Sequence, residues 1–445
     1  NWNYRITTSC KMRINFIILL IILLGCSSKL PSTELRDSVF LDQENIAIDT
    51  RLRSIKNEDN ALTHNTITNQ SKYDSNSINH DFGFDWNRRK IISVSEKDNR
   101  HFSYLGSPII DDNTIYTINA NGYVVAIDEA EKDIIWKKKI NTKPNYKYAT
   151  LSYHNNHLIA TTNNGYVYLI SKSGSVIWEK YLGSSLISGF IYNDGKLYGL
   201  GLDNIAYCID FQSGSTLWSS KIENNLEASS FDVALPVIIG SDVIFACRNG
   251  EIIVFDKVSG QKKWSSFVDL NNADIANENA SIDFSPIVEK NMIFSGSIDG
   301  GLSFFSSERG YELKNFGMSL YSPIVKSTNF YYFITKDNKL VSFYPISGTV
   351  KWIKGLPKDF KYKVPKYLTN TEHYIKYKMV WRGPIIADGK ILISNIFGDI
   401  IIVDPDTGET IQNIKIPEYI YRTPVIANGK MYIYDDYKKE IVIIS

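Results

Sequence analysis

One short phrase recurs through most of this 445-residue chain: a glycine, three further residues, then a tryptophan. Gly174 leads to Trp178, Gly214 to Trp218, Gly260 to Trp264 and Gly348 to Trp352. Trp136 has Lys132 in the glycine's place. Two more copies keep the glycine and replace the tryptophan, Gly310 with Lys314 and Gly408 with Gln412. Successive tryptophan positions are separated by 42, 40, 46, 50, 38 and 60 residues. A four-stranded propeller blade needs about 40–50 residues, so this period selects a β-propeller over the shorter β-helix repeat.

The residues between the markers agree. SPIIDDNTIYTINANGYVVAID, SPIVEKNMIFSGSIDGGLSFF and GPIIADGKILISNIFGDIIIVD share one frame of short apolar strands split by Asp/Asn-Gly turns. Pro108, Pro236, Pro286, Pro323, Pro384 and Pro424 open the first strand of a repeat. The 28 tyrosines and 21 phenylalanines favour strands over helices. The expected fold is all-β: an eight-bladed propeller of four-stranded antiparallel blades over 81–445.

Seven repeats are complete, and the eighth stops after three strands. DWNRRKI at 85–91 has the pattern of the missing fourth strand. The expectation is that it pairs with 440–445 and places Trp86 beside Trp136, Trp178, Trp218, Trp264 and Trp352 as a structural marker. Full closure limits unpaired strand edges.

The N-terminus reads as an address. Residues 1–11, which contain Cys10, precede Met12, the early start the pattern favours, and are taken as outside the true protein. MRINFIILLIILLGC supplies a basic flank and an apolar run at 16–24, too short to span a bilayer and right for a signal peptide over 12–25. It ends in Leu-Leu-Gly-Cys, the pattern of a lipobox, with Cys26 as the lipidated residue. Ser27, rather than Asp, favours the outer membrane and its periplasmic face. Residues 26–80 are rich in Asn, Ser, Asp and Thr and read as a disordered tether of about 55 residues, spanning roughly 40 Å as a random coil.

Lys and Arg total 49 against 48 Asp and Glu. This balance argues against a nucleic-acid binder, which carries a basic stripe. Cys208 and Cys247 sit in apolar strand runs and read as buried free thiols, with a disulfide permitted by the compartment. His154 and His157 share a turn and read as exposed imidazoles rather than metal ligands. No phosphate loop, Ser/His/Asp layout or Cys-x-x-Cys is visible. Neither catalysis nor a cofactor is expected.

The A-x-D…G-x-x-x-W phrasing resembles the pyrroloquinoline-quinone-type propeller repeat. With the lipobox, polar tether and closing strand, the layout resembles the BamB family of outer-membrane assembly lipoproteins. That resemblance implies a non-catalytic scaffold that binds the barrel subunit, BamA-like, and aids unfolded outer-membrane proteins. It also implies a partner-binding edge before the first-strand prolines of blades 4 and 5. Here those stretches read SSFDVALP, without the family's arginine, and SIDFSP, in which Asp283 matches one of two expected acids and Phe284 follows. A quinone-dependent dehydrogenase is the competing class, and a propeller with another periplasmic partner is a third.

The long gap after Trp352 holds a basic, aromatic insertion at 357–379. Lys358, Lys361, Lys363, Lys366, Lys376 and Lys378 alternate with Phe360, Tyr362, Tyr367, Tyr374 and Tyr377, opposed by Asp359 and Glu372. It reads as a contact surface for anionic lipid heads or an acidic partner, which Trp381 and Arg382 would extend.

Overall fold

The computed structural model describes residue 52 and the segments 84–94, 104–105, 107–119, 122–140, 148–186, 189–222, 234–247, 250–268, 282, 284–297, 301–363, 374–435 and 438–445. For 104–105, 148, 360–363 and 374–378 it describes the backbone alone. The leader, Cys26 and all of the tether except Leu52 fall outside these residues.

The described chain is all-β and builds eight four-stranded antiparallel blades in a ring. Blade 1 runs Ile109–Asp111, Thr114–Ile118, Tyr123–Asp128 and Ile134–Lys139. These four strands, A to D, recur in every blade. Blade 2 carries an extra parallel strand, Tyr104–Leu105, on its strand A. Strands B and C are buried along almost their whole length, as Thr114–Ile118 and Tyr123–Asp128 show. Both of their faces are covered by neighbouring blades, so they read as near-continuous apolar runs. Strand D forms the rim and is largely exposed in blades such as 1, 2 and 7, while that of blade 6, Thr349–Gly355, is more buried. The core is divided into packets between blades. One holds Tyr116, Ile118 and Val124 of blade 1 with Leu151, Leu158 and Tyr168 of blade 2.

The recurrent tryptophan locks each blade to the next. In blades 1 to 7 the C–D pairing slips by one residue just before the marker position, as between Ala126 and Ile127 or Val254 and Phe255. This bulge leaves residues such as Ile135, Ile177, Leu217 and Ile411 exposed and re-aims the following side chain. The indole N–H then donates to a carbonyl in the C–D turn of the following blade. Trp136 Nε1 donates to Lys172 O at 3.0 Å, Trp178 to Phe211 O at 2.9 Å and Trp218 to Lys257 O at 3.1 Å. Trp264 reaches Ser307 O at 3.1 Å and Trp352 reaches Pro405 O at 2.9 Å.

The ring also lies flat on that turn's glycine. A Cβ on Gly174 would fall 2.6 Å from Trp136 Cδ2, and one on Gly408 would fall 2.7 Å from Trp352 Cδ2. Both glycines have positive φ, +86° and +76°. The glycine of one repeat is therefore required by the tryptophan of the repeat before it. Where Lys314 replaces tryptophan, Phe316 covers Gly348 instead, with Lys314 Nζ 4.6 Å above the Phe316 ring.

An N-terminal strand closes the last blade, as the pattern predicts, with a corrected register. The strand is Arg89–Ser93 rather than 85–91, and it pairs Arg89 with Ile444 through Ser93 with Glu440. The fourth residue of strand C faces the marker in the other blades, as Ala126 faces Trp136. In blade 8 that residue is Ile443, and it faces Lys90. Lys90 Nζ donates to Glu129 O and, at 3.1 Å, to Ala130 O, the blade 1 turn an indole would otherwise reach. Among the described residues no indole lies on this turn, and its glycine position is Lys132, at φ +64°.

Trp86 instead occupies a turn before the strand, half-buried between blades 7 and 8 and edge-on to Phe84, 5.5 Å away. Asp85 N donates to Ser445 O at 3.1 Å. Arg89 Nη1 pairs with the buried Glu418 at 3.2 Å. On the opposite side of blade 8, at its junction with blade 1, Glu129, also buried, accepts from Tyr432 Oη at 2.7 Å and from Lys430 Nζ.

Candidate functional site

The partner-binding edge expected from the resemblance spans the loops entering blades 4 and 5, and the fold brings those loops together. Leu235 N donates to Ser285 Oγ at 2.8 Å, stitching the residue before Pro236 to the residue before Pro286. Ile282 is fully buried in the apolar packet between blades 4 and 5, with Ala234. Anchored on either side by Ile282 and Ser285, Phe284 is half-buried in a bend. Asp283 lies outside the described residues, as do 223–233 of the blade 4 loop.

The basic, aromatic insertion contains a two-stranded hairpin joined to no blade, Asp359–Lys363 paired with Tyr374–Lys378. Its register sets Asp359 opposite Lys378, Phe360 opposite Tyr377, Lys361 opposite Lys376, Tyr362 opposite Ile375 and Lys363 opposite Tyr374. No loop-like coil spans these positions; alternation along the sequence has become two-sidedness of a sheet.

Two residues expected to extend that surface do not lie on it. Trp381 is 1% exposed, and its Nε1 donates to Pro357 O at 2.9 Å. The first strand of blade 7, Trp381–Ala387, starts earlier than the three-residue first strands of blades 1, 3, 4, 5 and 8 and draws the indole into the core between blades 6 and 7. Arg382 is half-buried, with Nε donating to Tyr421 O at 3.1 Å. One residue not anticipated enters the same core. Leu52, expected within a free tether, is 4% exposed and clusters with Leu356, Met379 and Trp381. Its sequence signal is short: Ile48, Leu52 and Ile55 at i, i+4 and i+7 within a polar stretch.

The remaining candidates have structural surroundings. Cys208 and Cys247 are both buried free thiols in the packet between blades 3 and 4. Burial pushes the Cys208 thiol up to about 11 and the Cys247 thiol higher still. Desolvation lowers His154 to about 4, so its ring is neutral at physiological pH, stacked 6.1 Å from Tyr192. Expected at the surface of a turn, His154 is half-buried, because strand Tyr148–His154 runs on to include it. His157 packs edge-on to Phe211 at 5.4 Å. Among the described residues no three His, Cys, Asp or Glu side chains gather as a metal site would require.

Comparison with known proteins places this geometry in a family. The family model described as outer membrane protein assembly factor BamB matches residues 120–354. The BamB of Yersinia pestis is 16% identical over 352 residues, covering 77% of this chain and 84% of that protein. The crystal structure of BamB from Moraxella catarrhalis superposes with a TM-score of 0.59 at 16% identity, over 80% of this chain and all of that one. A europium-containing methanol dehydrogenase shares the fold at a TM-score of 0.55 and 12% identity, over 77% of this chain and 84% of its own. The family model spans more than half of the sequence, from blade 1 through the tryptophan strand of blade 6, and on that ground the chain belongs to the family of the outer membrane protein assembly factor BamB.

Proposed function

We propose that this chain is a non-catalytic scaffold of the outer-membrane β-barrel assembly machinery. It is held at the periplasmic face of the outer membrane by lipid on Cys26, binds the BamA-like barrel subunit and aids insertion of unfolded outer-membrane proteins. The family match over residues 120–354 carries this reading. The stitched entrance loops of blades 4 and 5 support the binding edge, since Leu235 and Ser285 hold Phe284 at a fixed place on the molecule. A rigid aromatic at the centre of a contact is the residue type that dominates binding energy.

The test is a crosslinking pull-down from outer membranes with the parent chain and with Phe284→Ala combined with Asp283→Lys. Recovery of barrel-assembly subunits by the parent, reduced at least about tenfold in the variant, is the expected result. Failure of the parent to recover them, with quinone-dependent turnover of an alcohol, would instead assign the chain to the dehydrogenases that share its fold.

A further inference from the structure

We propose that the hairpin Asp359–Lys363/Tyr374–Lys378 is the membrane-facing surface of the propeller and docks on a layer of anionic phospholipid headgroups. This rests on the reading that Cys26 carries the lipid anchor. The first observation is the register. Alternate residues of a strand share a face, so one face of the hairpin holds Asp359, Lys361, Lys363, Tyr374, Lys376 and Lys378. The other holds Phe360, Tyr362, Ile375 and Tyr377. Four lysines against one carboxylate make the first face strongly cationic in a chain whose net charge is +1. The second face is aromatic and aliphatic. Lysine beside tyrosine and phenylalanine is the side-chain set that suits the headgroup zone, where cations meet phosphate and aromatic rings lie at the boundary with the acyl chains.

The second observation is independent and concerns where the N-terminal segment meets the propeller. Leu52 is buried in a cluster with Leu356 and Met379, which lie just before and just after the two hairpin strands. The chain coming from Cys26 therefore joins the folded body at the root of the hairpin. Leu52 lies 26 positions after Cys26, so at about 3.5 Å per residue the anchor stays within about 90 Å of that root. That is half the contour expected had the chain first met the propeller beyond residue 80. An acidic protein would match the lysines equally well, but it gives no reason for the lipid-bearing segment to dock beside them. A membrane does.

The test uses the secreted chain from Cys26 with Cys26→Ser, floated with vesicles of phosphatidylethanolamine containing about 30% phosphatidylglycerol, and with neutral phosphatidylcholine vesicles. The parent should float with the anionic vesicles, remain behind with the neutral ones and be released by salt. A variant with Lys361→Gln, Lys363→Gln, Lys376→Gln and Lys378→Gln should partition at least about tenfold less, since each lysine near an anionic surface contributes to binding. Its circular dichroism and melting temperature should match the parent, because the hairpin pairs with no blade. A parent that ignores anionic vesicles, or a variant that floats as well as the parent, overturns the proposal. So does a variant that keeps vesicle binding yet loses the barrel-assembly subunits in a pull-down, which would make the surface a protein contact. If the parent binds vesicles but recovers no assembly subunit, the membrane surface stands and the assembly function fails.

Discussion

Trp352 and Gly408 provide the sharpest test of how the ring is held together. Trp352 is 7% exposed and donates to Pro405 O, so Trp352→Ala removes a buried ring and one of that carbonyl's two donors, leaving Tyr332 Oη at 3.2 Å. The cost should be about 3–5 kcal/mol. Gly408→Ala forces a side chain into left-handed backbone at φ +76°, costing about 1–2 kcal/mol, and drives a methyl to within 2.7 Å of Trp352 Cδ2. The crowding adds about 1–3 kcal/mol. In the double variant the ring is gone and the crowding vanishes, while the backbone strain remains. The double variant should therefore be more stable than the sum of the single effects by at least about 1 kcal/mol. Urea midpoints followed by far-UV circular dichroism measure this, and Trp352→Ala alone should lower the melting temperature by about 5 °C for a body of this size. Gly408→Ala with Trp218→Ala, which do not touch, is the control and should add within about 0.5 kcal/mol. If the Trp352 pair is additive too, the glycine is set by its turn alone and the interlock between blades is wrong.

Other consequences are equally direct. Arg89→Gln should cost about 1–3 kcal/mol, because Glu418 loses its cationic partner while buried at 3% exposure, and the loss should show in thermal melts. Lys132→Gly should leave stability unchanged or raise it by up to about 1 kcal/mol in the same melts, relieving positive φ where no ring demands it. Cys208 and Cys247 should resist a thiol reagent at pH 8 in the folded protein and react on unfolding, since burial holds both thiols protonated. His154 has a folded value of about 4 against 6.5 unfolded, so the unfolded chain binds the proton first as pH falls. Stability from this group is present above pH 6.5 and declines toward pH 4, by about 1–3 kcal/mol. His154→Phe should flatten that part of the urea-midpoint profile between pH 7 and pH 4.5.

The blade count and the closing strand could be read from the sequence because they rest on period, which is a property of the chain alone. The register of the closing strand could not. Trp86 looked like a marker because a basic run and an isoleucine follow it, NRRKI, as KKKI follows Trp136, yet the marker place is defined by what it meets in the next blade. Lys132 in place of glycine was the clue in the sequence: with no ring to lie on that turn, the slot behind it is free to hold Lys90. Trp381 misled for a related reason. Beside a run of lysines it read as surface, while the extra length of the Trp381–Ala387 strand turned it inward. The hairpin's two faces needed the pairing register, because the insertion alternates residue types without showing where its turn lies. Leu52 stands with Ile48 and Ile55 at i, i+4 and i+7, a short apolar pattern outweighed by the polar composition around it.

The closing strand also sets an order in time. Arg89–Ser93 is the first rim strand to be synthesised, and its partner Glu440–Ile444 is the last strand. A chain made from its N-terminus must carry Ile92 and Val94, both 2% exposed in the finished ring, without their partners until almost all the other described strands have been made. Contacts so distant in sequence form slowly. During that interval seven blades lie open between two unpaired edges, and proteases and chaperones have their longest opportunity to act on this protein.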